Sequence, residues 1–220
     1  MKFAKETAST RILIDCGPDF RMQMLAHPFR KIDAVLLTHI HYDHVGGIDD
    51  LRPFCRFGDI NIYSNTDVVK GLKHNMPYCF PAKGDLYPGV PKLILHEIKP
   101  HVGFSIGDIE VMPITVMHDK LPILGYRIGK LAYITDMKNI EEKELEYLSG
   151  ISVLVINALR WKREHHSHQL VDDAISFARK LGVKRVFLIH MTHEIGLHAK
   201  ANLLLPSGIQ FGFDGETIIV

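Results

Sequence analysis

Residues 34–47 read Ala34-Val-Leu-Leu-Thr38-His39-Ile-His41-Tyr-Asp43-His44-Val-Gly46-Gly47, and the architecture follows from them. Ala34 to Thr38 is almost wholly apolar, as a strand buried on both faces must be. It runs directly into three imidazoles and a carboxylate within six residues, and a double glycine follows. Alternate side chains of an extended segment point the same way, so His39 and His41 can grip one ion. Asp43 and His44, beyond the turn, can reach a second. Imidazole with carboxylate suits zinc, manganese or iron, and suits calcium or magnesium poorly. The bland alternative, a polar surface loop with accidental histidines, does not explain their density.

One hexapeptide cannot fill two coordination shells, so further ligands must come from elsewhere. Three residues repeat the pattern of a donor ending an apolar run. His118 ends Val111-Met-Pro-Ile-Thr-Val-Met, Asp136 ends Leu131-Ala-Tyr-Ile-Thr, and His190 ends Val186-Phe-Leu-Ile. In layered α/β folds such strand ends gather at one rim. A polar residue where a strand stops is unremarkable singly, and four together are not.

The remaining pattern fits mixed α/β layering. Arg11 to Cys16 is a strand ended by Gly17-Pro18, and Phe20 to Ala26 suits a short helix. Residues 48–57 start as a helix with Asp49 and Asp50 in its first turn. Residues 74–91 hold four prolines and form an irregular loop of the kind that borders functional sites. Strands are expected at 92–98, 109–116, 125–128, 131–135, 151–156 and 186–189, and helices at 141–148 and 169–181. The last helix places Leu170, Ala174, Phe177, Ala178 and Leu181 on one face.

Composition sets bounds. A chain of 220 residues fits one domain and builds a core without staples. A net charge of +1 supplies no bulk attraction to nucleic acid or anionic membrane. Cys16, Cys55 and Cys79 are odd in number, lack CxxC spacing, and read as buried small hydrophobes in a reducing compartment. No apolar run approaches the ~18 residues of a membrane span. The expected location is cytoplasmic.

With His118, Asp136 and His190 following HxHxDH in order, and Ile12-Leu-Ile-Asp15-Cys-Gly17 opening the chain, the sequence resembles the metallo-β-lactamase-fold hydrolases. That resemblance implies a four-layer αββα sandwich formed by a single domain over 1–220. It implies two divalent metal ions: one on His39, His41 and His118, the other on Asp43, His44 and His190, with Asp136 bridging. Further segments narrow the branch: Met117-His-Asp-Lys-Leu121 with Gly125-Tyr126, Ala132 to Asp136, His190-Met-Thr-His193, and Leu205-Pro-Ser-Gly208 with Gly212-Phe-Asp-Gly215. They resemble the cyclic phosphodiesterase of the bacterial phosphonate-degradation (carbon–phosphorus lyase) pathway. In that branch the histidine at the place of His193 is the proposed proton donor, and the resemblance suggests a homodimer. Members usually begin with a Gly/Thr/Ser-rich strand and a zinc-binding cysteine cluster. Met1 to Thr10 has neither, so a shortened N-terminal strand region is expected.

The implied chemistry is phosphodiester hydrolysis of a small or cyclic diester or a nucleotide. Two metals ~3.5–4 Å apart bridge a water and bring its pKa toward neutrality, providing the nucleophile. His193 then protonates the leaving alkoxide, and with Asp43 makes up the catalytic pair. His168, His166 and Arg160 are candidate substrate contacts, although Ser167 or His168 could simply cap the following helix. Asp15 is expected to orient a histidine or a loop amide. The other histidines, at 27, 74, 96, 101 and 198, read as structural or solvated.

Competing readings are a tRNA-processing-type nuclease, disfavoured by the near-neutral charge, a thioester hydrolase, and a non-hydrolytic metal-binding protein. A diiron redox protein would carry a carboxylate where His41 stands.

Overall fold

The computed structural model describes residues 3–81 and 88–220. Within the expected loop at 74–91, residues 82–87 lie outside the described part. The chain divides into two compact units, residues 1–109 and 110–220.

Unit 1 is a five-stranded sheet in the order β1 (Phe3–Glu6), β2 (Arg11–Ile14), β3 (Ala34–Leu36), β4 (Ile60–Ser64), β5 (Leu93–Glu97). β1 pairs antiparallel with β2, and the other neighbours are parallel. The parallel pairs need crossovers, supplied by α1 (Phe20–Leu25), α2 (Tyr42–Val45) with a 3₁₀ helix (Ile48–Phe57), and α3 (Thr66–Asn75). A short strand, β6 (Phe104–Ile106), lies near the end of the unit. The core packs Leu13, Val35, Ile60 and Ile62 of the strands against Phe20, Leu51, Phe54, Val68 and Leu72 of the helices.

The helix over 48–57 is 3₁₀ rather than α, for two reasons. Its buried residues Ile48, Leu51 and Phe54 recur every three residues, the 3₁₀ repeat, and Pro53 removes an amide donor from its interior. The α3 helix begins where Asn65 accepts a hydrogen bond from the Val68 amide at 3.0 Å.

Unit 2 carries β7 (Ile109–His118), β8 (Leu121–Ile128), β9 (Leu131–Ile134), β10 (Val153–Asn157), β11 (Arg185–Ile189) and β12 (Ile209–Phe211), in the order β12-β11-β10-β9-β8-β7. The β7–β8–β9 meander is antiparallel, and β9 to β12 are parallel. A 3₁₀ helix (Glu142–Leu148), α4 (Val171–Lys180) and α5 (His198–Asn202) connect them. All five residues of β10 are buried, and Leu154 and Ile156 meet Val171, Ala174 and Ala178 of α4 in the core.

The α4 helix is not capped by Ser167 or His168 as one reading held. Leu170 is the N-cap, and its amide donates to Asp173 Oδ2 at 2.9 Å. Among the described residues, no helix is long and apolar enough to cross a membrane.

Candidate functional site

In unit 1 the site grows from Asp15, the first residue past β2. Its backbone sits in the left-handed region (φ 60°) and its carboxylate is wholly buried. Oδ1 accepts from the Thr38 amide at 2.9 Å, and the Thr38 hydroxyl lies 3.0 Å from both carboxylate oxygens. Oδ2 stands 2.7 Å from Nδ1 of His44.

These bonds fix where the imidazole protons are. A carboxylate only accepts, so His44 carries its proton on Nδ1 and presents Nε2 as a lone-pair donor. That Nε2 lies 3.3 Å from Asp43 Oδ2. The Thr38 hydroxyl gives its proton to Asp15, so it accepts from His39 Nδ1, 3.0 Å away. Nε2 of His39 then carries the lone pair, and it faces His41 Nδ1 at 3.0 Å. Two nitrogens on one tetrahedral zinc stand roughly 3.3 Å apart, given Zn–N distances near 2.05 Å. His39 and His44 are buried, whereas His41 and Asp43 open to solvent.

The turn bearing these ligands is pinned from below. The Cys16 amide donates to the His44 carbonyl at 2.7 Å, and the Gly47 amide to the Cys16 carbonyl at 2.8 Å. A Cβ at position 47 would stand 2.1 Å from the Gly17 carbonyl oxygen. The double glycine therefore has a packing cause.

In unit 2 the donors come from three strand ends. His118 closes β7, with Nδ1 2.8 Å from the Asp136 carbonyl and 3.1 Å from that of Ser167. Carbonyls only accept, so the proton is on Nδ1 and Nε2 carries the lone pair. Asp136, past the end of β9, and His190, past β11, both adopt positive φ, 53° and 56°. Asp136 Oδ1 lies 2.9 Å from His190 Nε2 and 3.0 Å from His168 Nε2. The His168 and His190 rings stack at 4.9 Å. Asn157, at the end of β10, holds the backbone after Asp136: its side chain bonds both the amide and the carbonyl of Met137, at 2.9 and 3.0 Å. Gln169 fastens the Asn157 carbonyl at 2.8 Å.

The other expected residues divide. His168 stands at the Asp136 carboxylate. His166 is exposed, its ring 4.5 Å from that of His165. Burial first, and then the neighbouring His168 and His166, hold the His165 imidazole below its ordinary pKa. Arg160, expected at substrate, is instead buried and engaged inward. It donates to Glu194 Oε1 at 2.8 Å and to the carbonyls of Arg163 and Glu164 at 2.8 and 3.3 Å. His193 opens a 3₁₀ turn, His193–Ile195, and its side chain is exposed.

Sequence reasoning missed Thr38 and Asn157. Each had a readable signal, a polar residue closing an apolar run. The Glu194 contacts had none, because they join residues 31 and 34 positions apart.

Comparison with known proteins gives the family and the fold. Residues 10–191 match the family described as Beta-lactamase superfamily domain. A solved structure described as a new diphosphatase from the PhnP family is 34% identical, with a TM-score of 0.88 over 98% of this chain and 81% of that one. An octanoyltransferase of Porphyromonas gingivalis is 44% identical over 213 residues, which are 97% of this chain and 43% of that protein. The chain thus spans less than half the length of that relative. The exodeoxyribonuclease WalJ of Streptococcus pneumoniae is 24% identical over 92% of this chain and 81% of its own. The chain belongs to the beta-lactamase superfamily, with a metallo-β-lactamase fold resembling that of the PhnP family.

Proposed function

We propose that the two units work as one catalytic domain, a dinuclear metal-dependent phosphodiesterase acting on a small or cyclic phosphodiester or a nucleotide. His39, His41 and His118 would hold one ion, and Asp43, His44 and His190 the other, with Asp136 shared. Zinc or manganese suits them best. The observation that carries the reading is the proton assignment. Asp15, Thr38 and the Asp136 carbonyl take the Nδ1 protons of His44, His39 and His118, leaving each Nε2 as a ligand. Buried imidazoles so oriented by an outer layer of acceptors are how proteins tune metal ligands.

Two divalent cations held there would supply Lewis acidity toward a water and positive charge for the phosphoryl oxygens. Asp43, a ligand half exposed to solvent, also accepts the proton released. His168, with Nε2 3.0 Å from Asp136 Oδ1, orients that carboxylate. His193 gives a proton to the departing alkoxide.

The diphosphatase relative cleaves a phosphoryl substrate by its description, which favours a small phosphorylated substrate. A nuclease is the second reading, favoured by the exodeoxyribonuclease relative. The net charge of +1 argues against a long polyanion as substrate. Acyl transfer finds no support in the cysteines. Burial pushes the Cys79 thiol up to about 11 and raises that of Cys55, while Cys16 is buried.

Metal analysis with turnover of bis(p-nitrophenyl) phosphate, in wild type and His193→Ala, tests this. Two metals per chain and a turnover lost to chelator are expected, with a fall on the order of 100-fold in the variant. Bound metal without hydrolysis of any phosphodiester would refute it.

A further inference from the structure

The 3₁₀ turn bearing His193 is stitched along its length to the loop that follows β10. The Thr192 amide donates to the Leu159 carbonyl at 2.9 Å, and the Thr192 hydroxyl to the same oxygen at 3.2 Å. Trp161 Nε1 donates to the Ile195 carbonyl at 3.1 Å. Between them, Glu194 Oε1 receives Arg160 Nη1 at 2.8 Å and Arg163 Nη2 at 2.7 Å.

The ion pair has an unusual construction. Arg160 is almost buried, and its other donors are fixed on the carbonyls of residues 163 and 164. Burying a guanidinium is costly unless geometry and hydrogen bonds compensate. An exposed Arg–Glu pair contributes little by itself. This chain instead sinks one arginine to hold a carboxylate whose chain neighbour is His193. Arg163, the second grip, keeps a left-handed backbone (φ 67°). The Arg160 hydrogen bond, with the charge of Arg163, holds the Glu194 carboxyl below its ordinary range, so it stays ionised at working pH.

We infer that Glu194, gripped by Arg160 and Arg163, is a positioning residue that holds His193 where a leaving-group oxygen can take its proton. The inference rests on the reading of His193 as proton donor. The His193 side chain is exposed, so its aim depends on the turn beneath it. Misplacing a reacting group by about 1 Å can cost on the order of 100-fold. The same loop carries His168 to Asp136, so one segment references the proton donor to the site residues of unit 2.

The test uses the full metal-loaded chain as wild type, Glu194→Ala, Arg163→Ala, His193→Ala and the Glu194→Ala/His193→Ala double variant. Substrates are bis(p-nitrophenyl) phosphate and diphenyl phosphate, whose phenol leaves less readily and needs the proton more. Glu194→Ala is expected to lower kcat with KM unchanged, on the order of 10- to 100-fold for diphenyl phosphate and less for the nitrophenyl ester. The double variant should fall no further than His193→Ala alone, because the two act through one group. Arg163→Ala, at an exposed position, guards against misfolding and should give a smaller effect of the same pattern.

A kcat loss in Glu194→Ala that is equal in both backgrounds, or absent, overturns the inference. Hydrogen exchange at amides 192–196 gives a reading that needs no activity. Faster exchange in Glu194→Ala supports the clamp, and unchanged exchange overturns it. Should wild type hydrolyse no phosphodiester, the reading of the preceding section fails, and the exchange result alone judges the clamp.

Discussion

Nδ1 of His44 and Oδ2 of Asp15 stand 2.7 Å apart inside unit 1, with neither side chain reaching solvent. The carboxylate that orients this imidazole also holds the amide and hydroxyl of Thr38, and through Thr38 the ring of His39. Asp15 therefore governs one ligand on each of the two proposed ions without touching either. Outer partners of this kind typically contribute 10- to 100-fold to metal affinity. Asp15→Asn should lower affinity by about that factor for both ions, read by competition with a chromophoric chelator. The apo-protein should lose about 3 kcal/mol, since a buried partner is removed. Unchanged affinity would mean the histidines are aimed by something else.

Gly47→Ala should damage the ligand turn through the backbone alone. Its Cβ would meet the Gly17 carbonyl oxygen at 2.1 Å and the Phe20 Cβ at 2.8 Å. Neither is the far end of a flexible side chain. A loss of about 1–3 kcal/mol is expected, visible as a lower Tm, together with sub-stoichiometric metal. A variant with wild-type Tm and full metal would show that α1 can slide away.

Asp108 offers a pH signature. The Thr10 hydroxyl first, then those of Thr7 and Ser9, hold its carboxyl at about 2, below the ordinary 3.8. A depressed carboxyl adds stability above its unfolded pKa and loses it as pH falls through the folded one. The Tm gap between wild type and Asp108→Ala should therefore be full at pH 5 and close progressively from about pH 4 toward 2. A gap constant over that window would assign the effect to packing instead.

The thiols should be slow. Burial raises Cys79 to about 11 and also raises Cys55, and Cys16 is buried. Thiolate is the reactive form. At pH 8 a disulfide reagent should label Cys55, the half-exposed one, slowly and the other two only on unfolding. Rapid labelling of Cys79 in the folded chain would contradict its placement.

Much of the site was readable because its signal is local. His39, His41, Asp43 and His44 sit in one turn, and His118, Asp136 and His190 each stop an apolar run. The strands were equally plain where burial on both faces makes an unbroken apolar word, as in β3 and β10. β4 was passed over because Asn61 and Tyr63 interrupt it, although Ile60, Ile62 and Ser64 turn inward with period two. The 3₁₀ character of residues 48–57 and 142–148 depends on the last hydrogen bond of each turn, and helical patterning does not specify that. The hold of Arg160 on Glu194 was not legible, because arginine in a loop beside a site looks the same whether it faces substrate or a carboxylate. Only the distance decides it.

Asp15, Asp136 and His190 share a left-handed backbone where β2, β9 and β11 end. That conformation costs a side-chain-bearing residue roughly 1–2 kcal/mol, less for aspartate, and glycine nothing. The strain persists because the side chains repay it: Asp15 holds Thr38 and His44, and Asp136 holds His168 and His190. Glycine would relax each torsion and strand those buried partners, so relief at the backbone brings no gain to the whole. Any lineage that keeps these three contacts therefore keeps the awkward turn at the end of each strand with them.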